Sequence, residues 1–169
     1  MDINFPYALN RLLEVEGGVS NDANDHGGLT NKGITQKEYD AYRIKKTLPI
    51  QSVTLLSSTE FHDIYYNNYW LVAQCDKLKT GVDTIHFDMA VNAGPKQAAK
   101  LLQRAIGVTD DGIIGPQTLE RVNVLDPTVM VKNYVGKRVD FYIDLCVADV
   151  TQLKFLKGWI RRAIAFCNK

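Results

Sequence analysis

Apolar residues recur every three or four positions through most of this chain, and that spacing predicts one helix after another. From about Asn4 to Val15, Phe5, Leu9, Leu12 and Leu13 fall on helical spacing, with Pro6 tolerated in the first turn, and Gly17-Gly18 then stop the helix. Thr35-x-x-Glu38 and Ser57-x-x-Glu60 each have the form of a capping box. The first opens a helix to about Lys46, before Pro49; the second opens one that runs toward Trp70. A helix from about Val82 to Val91 carries Ile85 and Met89 on one face. After Gly94-Pro95, the residues Ala98, Leu101, Leu102, Ala105 and Ile106 line another, which ends at Gly107. Asp111-Gly112 and Gly115-Pro116 make a tight double turn before a short helix with Leu119 and Val122. Asp126-Pro127 supplies an N-cap and a first-turn proline for a long helix to about Val147. Thr151 is expected to cap the last helix, where Leu153, Leu156, Ile160, Ile164 and Cys167 recur. Only Gly27 to Ile34 has the makings of a small hairpin. The expected class is therefore mainly α.

Composition narrows the picture. A chain of 169 residues suits one domain or two small lobes packed together, with a sizeable core. A net charge of +1 argues neither for nucleic acid nor for disorder. Cys75, Cys146 and Cys167 are odd in number and wrongly spaced for zinc; Cys146 and Cys167 lie on apolar helical faces, as buried thiols do, which points to synthesis in a reducing compartment. His26, His62 and His86 show no ligand spacing, and Asp110-Asp111-Gly112 lacks the further oxygens of a calcium loop, so no metal and no cofactor are expected. No apolar run is long enough to span a membrane, and residues 1–14 lack the pattern of a signal peptide.

The candidate chemistry gathers at Glu16. It ends the first predicted helix, where the helix dipole disfavours a carboxylate, and partial burial would add to the effect. Both raise its pKa, and a carboxyl group held neutral near working pH is what a general acid needs to protonate a glycosidic oxygen. Glu before Gly-Gly is also an ordinary solvated helix end. The loop that follows favours chemistry: it carries Asp22, Asp25, small residues and the polar pair Thr30-Asn31, and glycosidases need a second carboxylate or a positioned water across the sugar.

Glu16-Gly17-Gly18 followed by Asp25-x-Gly27-Gly28-x-Thr30-Asn31-x-Gly33-Ile34 resembles glycoside hydrolase family 108, small lysozyme-like N-acetylmuramidases that include many phage and prophage endolysins. The likeness continues through Tyr69-Trp70, Phe87-Asp88-x-x-Val91-Asn92-x-Gly94, Leu102-Gln103 and Asp111-Gly112-x-Ile114-Gly115-Pro116-x-Thr118, the last part resembling the peptidoglycan-binding region usual in that family. Together these motifs span about two-thirds of the chain in order. Glu16 matches the family's catalytic Glu; Asp25 and Thr30 match polar positions beside it. The chain departs from the family at Val19 and at Ala23-Asn24, where an aromatic residue and a proline are common.

The resemblance implies a lysozyme-like helical fold with its cleft near the end of the first helix. Residues 1–80 would form a catalytic half, and residues 81–169 a peptidoglycan-binding-like helical half packed with it as one unit. It implies cleavage of the β-1,4 bond between N-acetylmuramic acid and N-acetylglucosamine. A lytic transglycosylase on the same bond, or a peptidoglycan-binding protein that no longer cuts, are the alternatives. The protein is expected to be a monomer made without a signal peptide, reaching the wall through a holin or a dedicated route, with no nucleic-acid partner and no stable membrane insertion. Substrate contacts are expected from Asn31, Tyr69, Trp70 and Asn92. The aromatic residues also suit core packing, and Asp88 with Asn92, four apart on one face, also suit bracing of the Gly94-Pro95 turn. The basic residues Lys154, Lys157, Arg161, Arg162 and Lys169, with no acid between Thr151 and Lys169, read as a solvated face or as an attraction toward anionic wall or membrane surfaces.

Overall fold

The computed structural model describes residues 3–16 and 29–167, without the side chains of Val15 and Glu16. Among them run eight α-helices and one two-stranded hairpin: α1 Phe5–Glu16, β1 Thr30–Asn31, β2 Ile34–Thr35, α2 Gln36–Lys45, α3 Ser58–Tyr65, α4 Val82–Ala93, α5 Pro95–Ile106, α6 Pro116–Val124, α7 Pro127–Ala148 and α8 Leu153–Ile164. The fold is mainly α, of lysozyme-like helical architecture with a small antiparallel hairpin.

Local chemistry explains most boundaries. Both capping boxes form: Thr35 and Ser57 accept from the backbone N–H groups of Glu38 and Glu60, whose carboxylates return the bond. Asp126 accepts from Thr128 and Val129 at the start of α7. The hairpin pairs Thr30 with Thr35 and Asn31 with Ile34. Its two-residue turn, Lys32-Gly33, has φ of 51° and 79°, the positive pair that a tight hairpin of this twist requires.

Two boundaries differ from expectation. Thr151 does not cap α8. Gln152 stands at its N-cap position without a side-chain bond, and a 3-10 turn at Val150–Gln152 precedes the helix, itself capped by Asp149, which accepts from the Thr151 amide at 3.0 Å and its hydroxyl at 2.7 Å. The helix opened by Ser57 also changes pitch after Tyr65. Tyr66–Trp70 form a π turn, with the Leu71 amide donating to the Tyr66 carbonyl at 2.9 Å. Five positions along an α-helix separate two side chains by about 140°. The wider turn instead lets Tyr65 and Trp70 both enter the core.

The centre of the molecule is α4. Every residue from Val82 to Ala90 is buried, so over this stretch the helix has no solvent face and no amphipathic signature to read, and only its last turn reaches the surface. Helices α1, α5 and α7 pack around it. The buried cluster runs from Phe5 to Ala163 and draws on both parts of the chain. Four polar residues of α4 are buried and each has a partner. Asp83 accepts from Asn4 at 2.8 Å, tying α4 to the start of α1, and from the amides of Gly81 and Thr84. Thr84 donates its hydroxyl to Asp83. His86 lies between the Tyr134 hydroxyl, 3.0 Å, and the Ala73 carbonyl, 3.1 Å. Asp88 holds Arg138 of α7 at 2.6 Å and Arg162 of α8 at 2.9 Å.

Cys75 and Cys146 are buried and Cys167 is half-buried. No described helix is long and apolar enough to cross a membrane. Among the described residues, no cluster of His, Cys, Asp and Glu is placed to hold a metal.

Candidate active site

The backbone of Glu16 is the last residue of α1, so the candidate acid stands at a helix C-terminal end. Asp25 lies outside the described residues. The rest of the neighbourhood is built from the hairpin and from the π turn. Thr30 and Asn31 form β1, both half-buried. Asn31 donates to the Val53 carbonyl at 3.0 Å, fixing the strand to the 3-10 turn Val53–Leu55. Tyr65 donates its hydroxyl to the Lys32 carbonyl at 3.1 Å, at the tip of the hairpin. Tyr69 donates to Glu38 at 3.2 Å, and Glu38 also serves the Thr35 cap. The Tyr65 and Tyr69 rings lie 5.5 Å apart. Thr30, Asn31 and Tyr69 are thus gathered at one corner, where the hairpin meets α2 and the π turn.

The remaining candidates sit elsewhere. Trp70 is fully buried, its ring 5.5 Å from both Phe5 and Phe87 in edge-on contacts, so it packs in the core beneath this corner rather than on an open wall. Asn92 is exposed on the last turn of α4, and its side-chain carbonyl accepts from Tyr142 at 2.8 Å. That leaves the amide donors of Asn92 without a partner among the described residues. Asp88, one turn earlier, is spent on two arginines and does not brace the Gly94-Pro95 turn. On the basic helix, Arg162 is likewise turned inward, while Lys154, Lys157 and Arg161 are exposed.

The frame of the corner is electrostatically firm. Burial works against ionisation of Glu60, but the bonds from the Ser57 amide and hydroxyl and from Tyr39, with the charge of Arg43, hold its carboxyl below the usual range. Burial, together with its bond to Asp63, pushes the Tyr42 hydroxyl up to about 12, so it stays a donor at any working pH. Both contacts lock α2 onto α3, behind the hairpin.

Sequence reasoning missed the π turn, which carries no propensity signal; such turns are frequent at functional sites. It also missed that Gln103 organises the Asp111–Ile113 turn. The buried side-chain amide of Gln103 donates to Asp111 at 2.7 Å and to the Ile113 carbonyl at 2.9 Å, and its oxygen accepts from the Gly112 amide at 2.8 Å. The Leu102-Gln103 and Asp111-Gly112 motifs, read together, were the available signal.

Comparison with known proteins places these features. Residues 9–94 match the family model described as Glycosyl hydrolase 108, and residues 97–164 match one described as Predicted Peptidoglycan domain. The junction falls at Gly94, between α4 and α5. SagA of Brucella abortus is a solved structure similar to this chain, with a TM-score of 0.69 and 29% sequence identity over 98% of this chain and 97% of that one. No curated protein matches the chain.

Proposed function

The chain belongs to the glycosyl hydrolase 108 family and is a peptidoglycan-acting hydrolase; we propose that the bond it cuts is the β-1,4 link between N-acetylmuramic acid and N-acetylglucosamine, with Glu16 as general acid. One observation carries the reading. Glu16 closes α1, inside the segment matched by the glycosyl hydrolase model. Unsatisfied carbonyls at a helix C-terminal end oppose a negative charge and raise a carboxyl pKa. The protonated group then gives its proton to the leaving sugar oxygen.

In this reading Asp25 activates or positions water, and Thr30 holds that water from β1. Asn31 and Tyr69 form the polar rim of the cleft, Trp70 supports it from beneath, and the unused amide donors of Asn92 meet a sugar substituent. Residues 1–80 and 81–169 act as one unit, because the buried cluster draws on both. A cut near Thr80 should therefore give insoluble or inactive protein, while the intact chain melts in one cooperative transition. The protein acts on the wall as a monomer, after release by a holin or a dedicated route.

The deciding experiment is turbidity loss of purified sacculi with wild type and Glu16→Gln. The substitution keeps the shape and removes the transferable proton, so activity should fall roughly 10²–10⁴-fold. Near-wild-type activity in a folded Glu16→Gln protein would refute the mechanism. Mass spectrometry of the products should show reducing muramic ends; anhydro ends would assign the chemistry to a transglycosylase.

A further inference from the structure

We propose that a groove between the end of the π-turn segment and the Asp111–Ile114 turn binds the peptide stem of peptidoglycan, through Lys96 and Asp111. This rests on the reading that the chain acts on peptidoglycan. The groove has a volume of about 380 Å³, and its walls include Val72, Gln74, Lys96, Asp111 and Ile113. That volume falls in the range of roughly 300–1,000 Å³ typical of small-ligand sites.

Three features make it a site rather than a surface dent. First, its walls are held before any ligand arrives. Gln103, buried inside, fixes the Asp111–Ile113 turn with three bonds. Gly112 has φ of 80°, and a Cβ there would stand 2.9 Å from Lys96 Cγ and 3.2 Å from the Lys96 carbonyl oxygen. The turn therefore lies directly on the first turn of α5. On the opposite side Gln74 holds a left-handed backbone, φ 55°, which costs a non-glycine residue on the order of 1 kcal/mol or more and persists only when the surroundings impose it.

Second, the groove offers one charge of each sign, each open to a ligand. Lys96 is exposed and its ammonium has no partner among the described residues. Asp111 receives Gln103 and the Ile113 amide on one oxygen, and the other oxygen has no partner among the described residues. The bonds from Gln103 and Ile113 hold this carboxyl below its usual range, so it is an anion at neutral pH. A neutral glycan would leave both charges unanswered, and a polyanion would meet the Asp111 carboxylate as a repulsion. A peptide stem built from alanine, glutamate and a diamino acid carries both a carboxylate and an ammonium, and answers both.

Third, the edges are apolar. Val72 and Ile113 are 58% and 64% exposed. Two exposed branched side chains flanking a charged centre suit the methyl groups of alanine residues, which are small enough to lie against them.

The test uses the full chain and the free tetrapeptide L-alanyl-γ-D-glutamyl-diaminopimelyl-D-alanine. Amide shifts are followed by NMR as peptide is added. The proposal expects saturable shifts at residues 72–74, 96 and 111–114, and a Kd at least tenfold weaker in Lys96→Glu, whose spectrum shows an intact fold. Lys96→Gln should fall between the two. Saturation elsewhere, no shifts at these residues, or equal affinity in Lys96→Glu would overturn it. Sacculus cleavage is read separately. A protein that cleaves sacculi but does not bind the tetrapeptide in the groove loses only this inference. One that binds it there but cleaves nothing loses only the enzymatic reading.

Discussion

Replacing Asp88 with Asn should cost this protein a large share of its stability. The substitution keeps the side-chain shape and removes its charge. In the native protein the Asp88 carboxylate accepts from Arg138 Nη2 at 2.6 Å and from Arg162 Nε at 3.0 and 3.2 Å. The side chains of Arg138 and Asp88 are 0% and 1% exposed, and that of Arg162 is 14% exposed. Water is therefore in no position to replace the lost charge. The Nε and Nη1 atoms of Arg138 are buried and have no hydrogen-bond partner among the described residues, although the guanidinium lies over the Tyr142 and Phe166 rings, 5.9 and 5.7 Å from their centroids. Burial is the largest influence on Arg138 and opposes its charge; the Asp88 carboxylate and Tyr142 together overcome it and hold the pKa above the ordinary value in the native protein, and Asp88→Asn removes the main part of that support. An exposed pair such as Lys137–Asp140 is worth about 0–1 kcal/mol. Removing one partner of a buried pair costs about 3–5 kcal/mol. Against a total of roughly 5–15 kcal/mol, that change is visible in any unfolding experiment. In a chain of this length it corresponds to a fall in Tm of roughly 10 °C. Calorimetry and urea titration at pH 7 should agree on it. The double variant Asp88→Asn/Arg162→Gln should lose less than the sum of the singles, because the two share one interaction. A loss under about 1 kcal/mol for Asp88→Asn would refute the reasoning.

Three further outcomes are expected. Burial drives the His86 pKa down to about 4, so the unfolded chain binds a proton that the native one refuses between pH 6.5 and 4; stability is intact above pH 6.5 and falls as pH drops, by about 3 kcal/mol across the window, and urea titrations at pH 5 to 6.5 should show this slope flattened in His86→Gln. Gly112→Ala combines a positive φ with the Lys96 contact and should destabilise by roughly 1–3 kcal/mol in thermal melts, whereas an unchanged Tm would show that the turn is not pinned to α5. Single substitutions Asp25→Asn and Thr30→Val should lower turnover on sacculi more than they weaken sugar binding; the reverse pattern would make both residues mere binding contacts.

Most helix boundaries were legible because they rest on local chemistry. The capping boxes at Thr35 and Ser57, the Asp126-Pro127 start and the Gly107 stop are each written within a few residues. The π turn was not, since the energy that widens it comes from burying both Tyr65 and Trp70 against distant partners. The start of α8 differs because Asp149, three residues before Gln152, is a good cap too: it caps a 3-10 turn that takes in Thr151, and the α-helix begins only after that turn, without a side-chain cap. Within the site, the position of Glu16 at a helix end could be read from Gly17-Gly18 alone. The grouping of Thr30, Asn31 and Tyr69 needed the hairpin and the π turn to be brought together, and the inward placement of Trp70 follows from the same turn. Asp88 looked like half of a polar pair with Asn92, but its partners lie 50 and 74 positions away, beyond what spacing can reveal.

That separation has a consequence for how the protein is made. At roughly 5–20 residues per second, a ribosome adds Arg162 about 4–15 seconds after Asp88. Until Arg138 is added, 50 residues after Asp88, the carboxylate at the heart of α4 has nothing to answer it, and until Arg162 follows it has only one of its two arginines and cannot be fully sealed from water at low cost. The helix that ends at Glu16 therefore waits on residues synthesised last among its neighbours. Ribosome-bound chains stalled before Arg162 should be cut by protease within α4, and chains released after it should resist. A cell that makes a wall-cutting protein holds, for those seconds, a nascent chain that cannot yet cut.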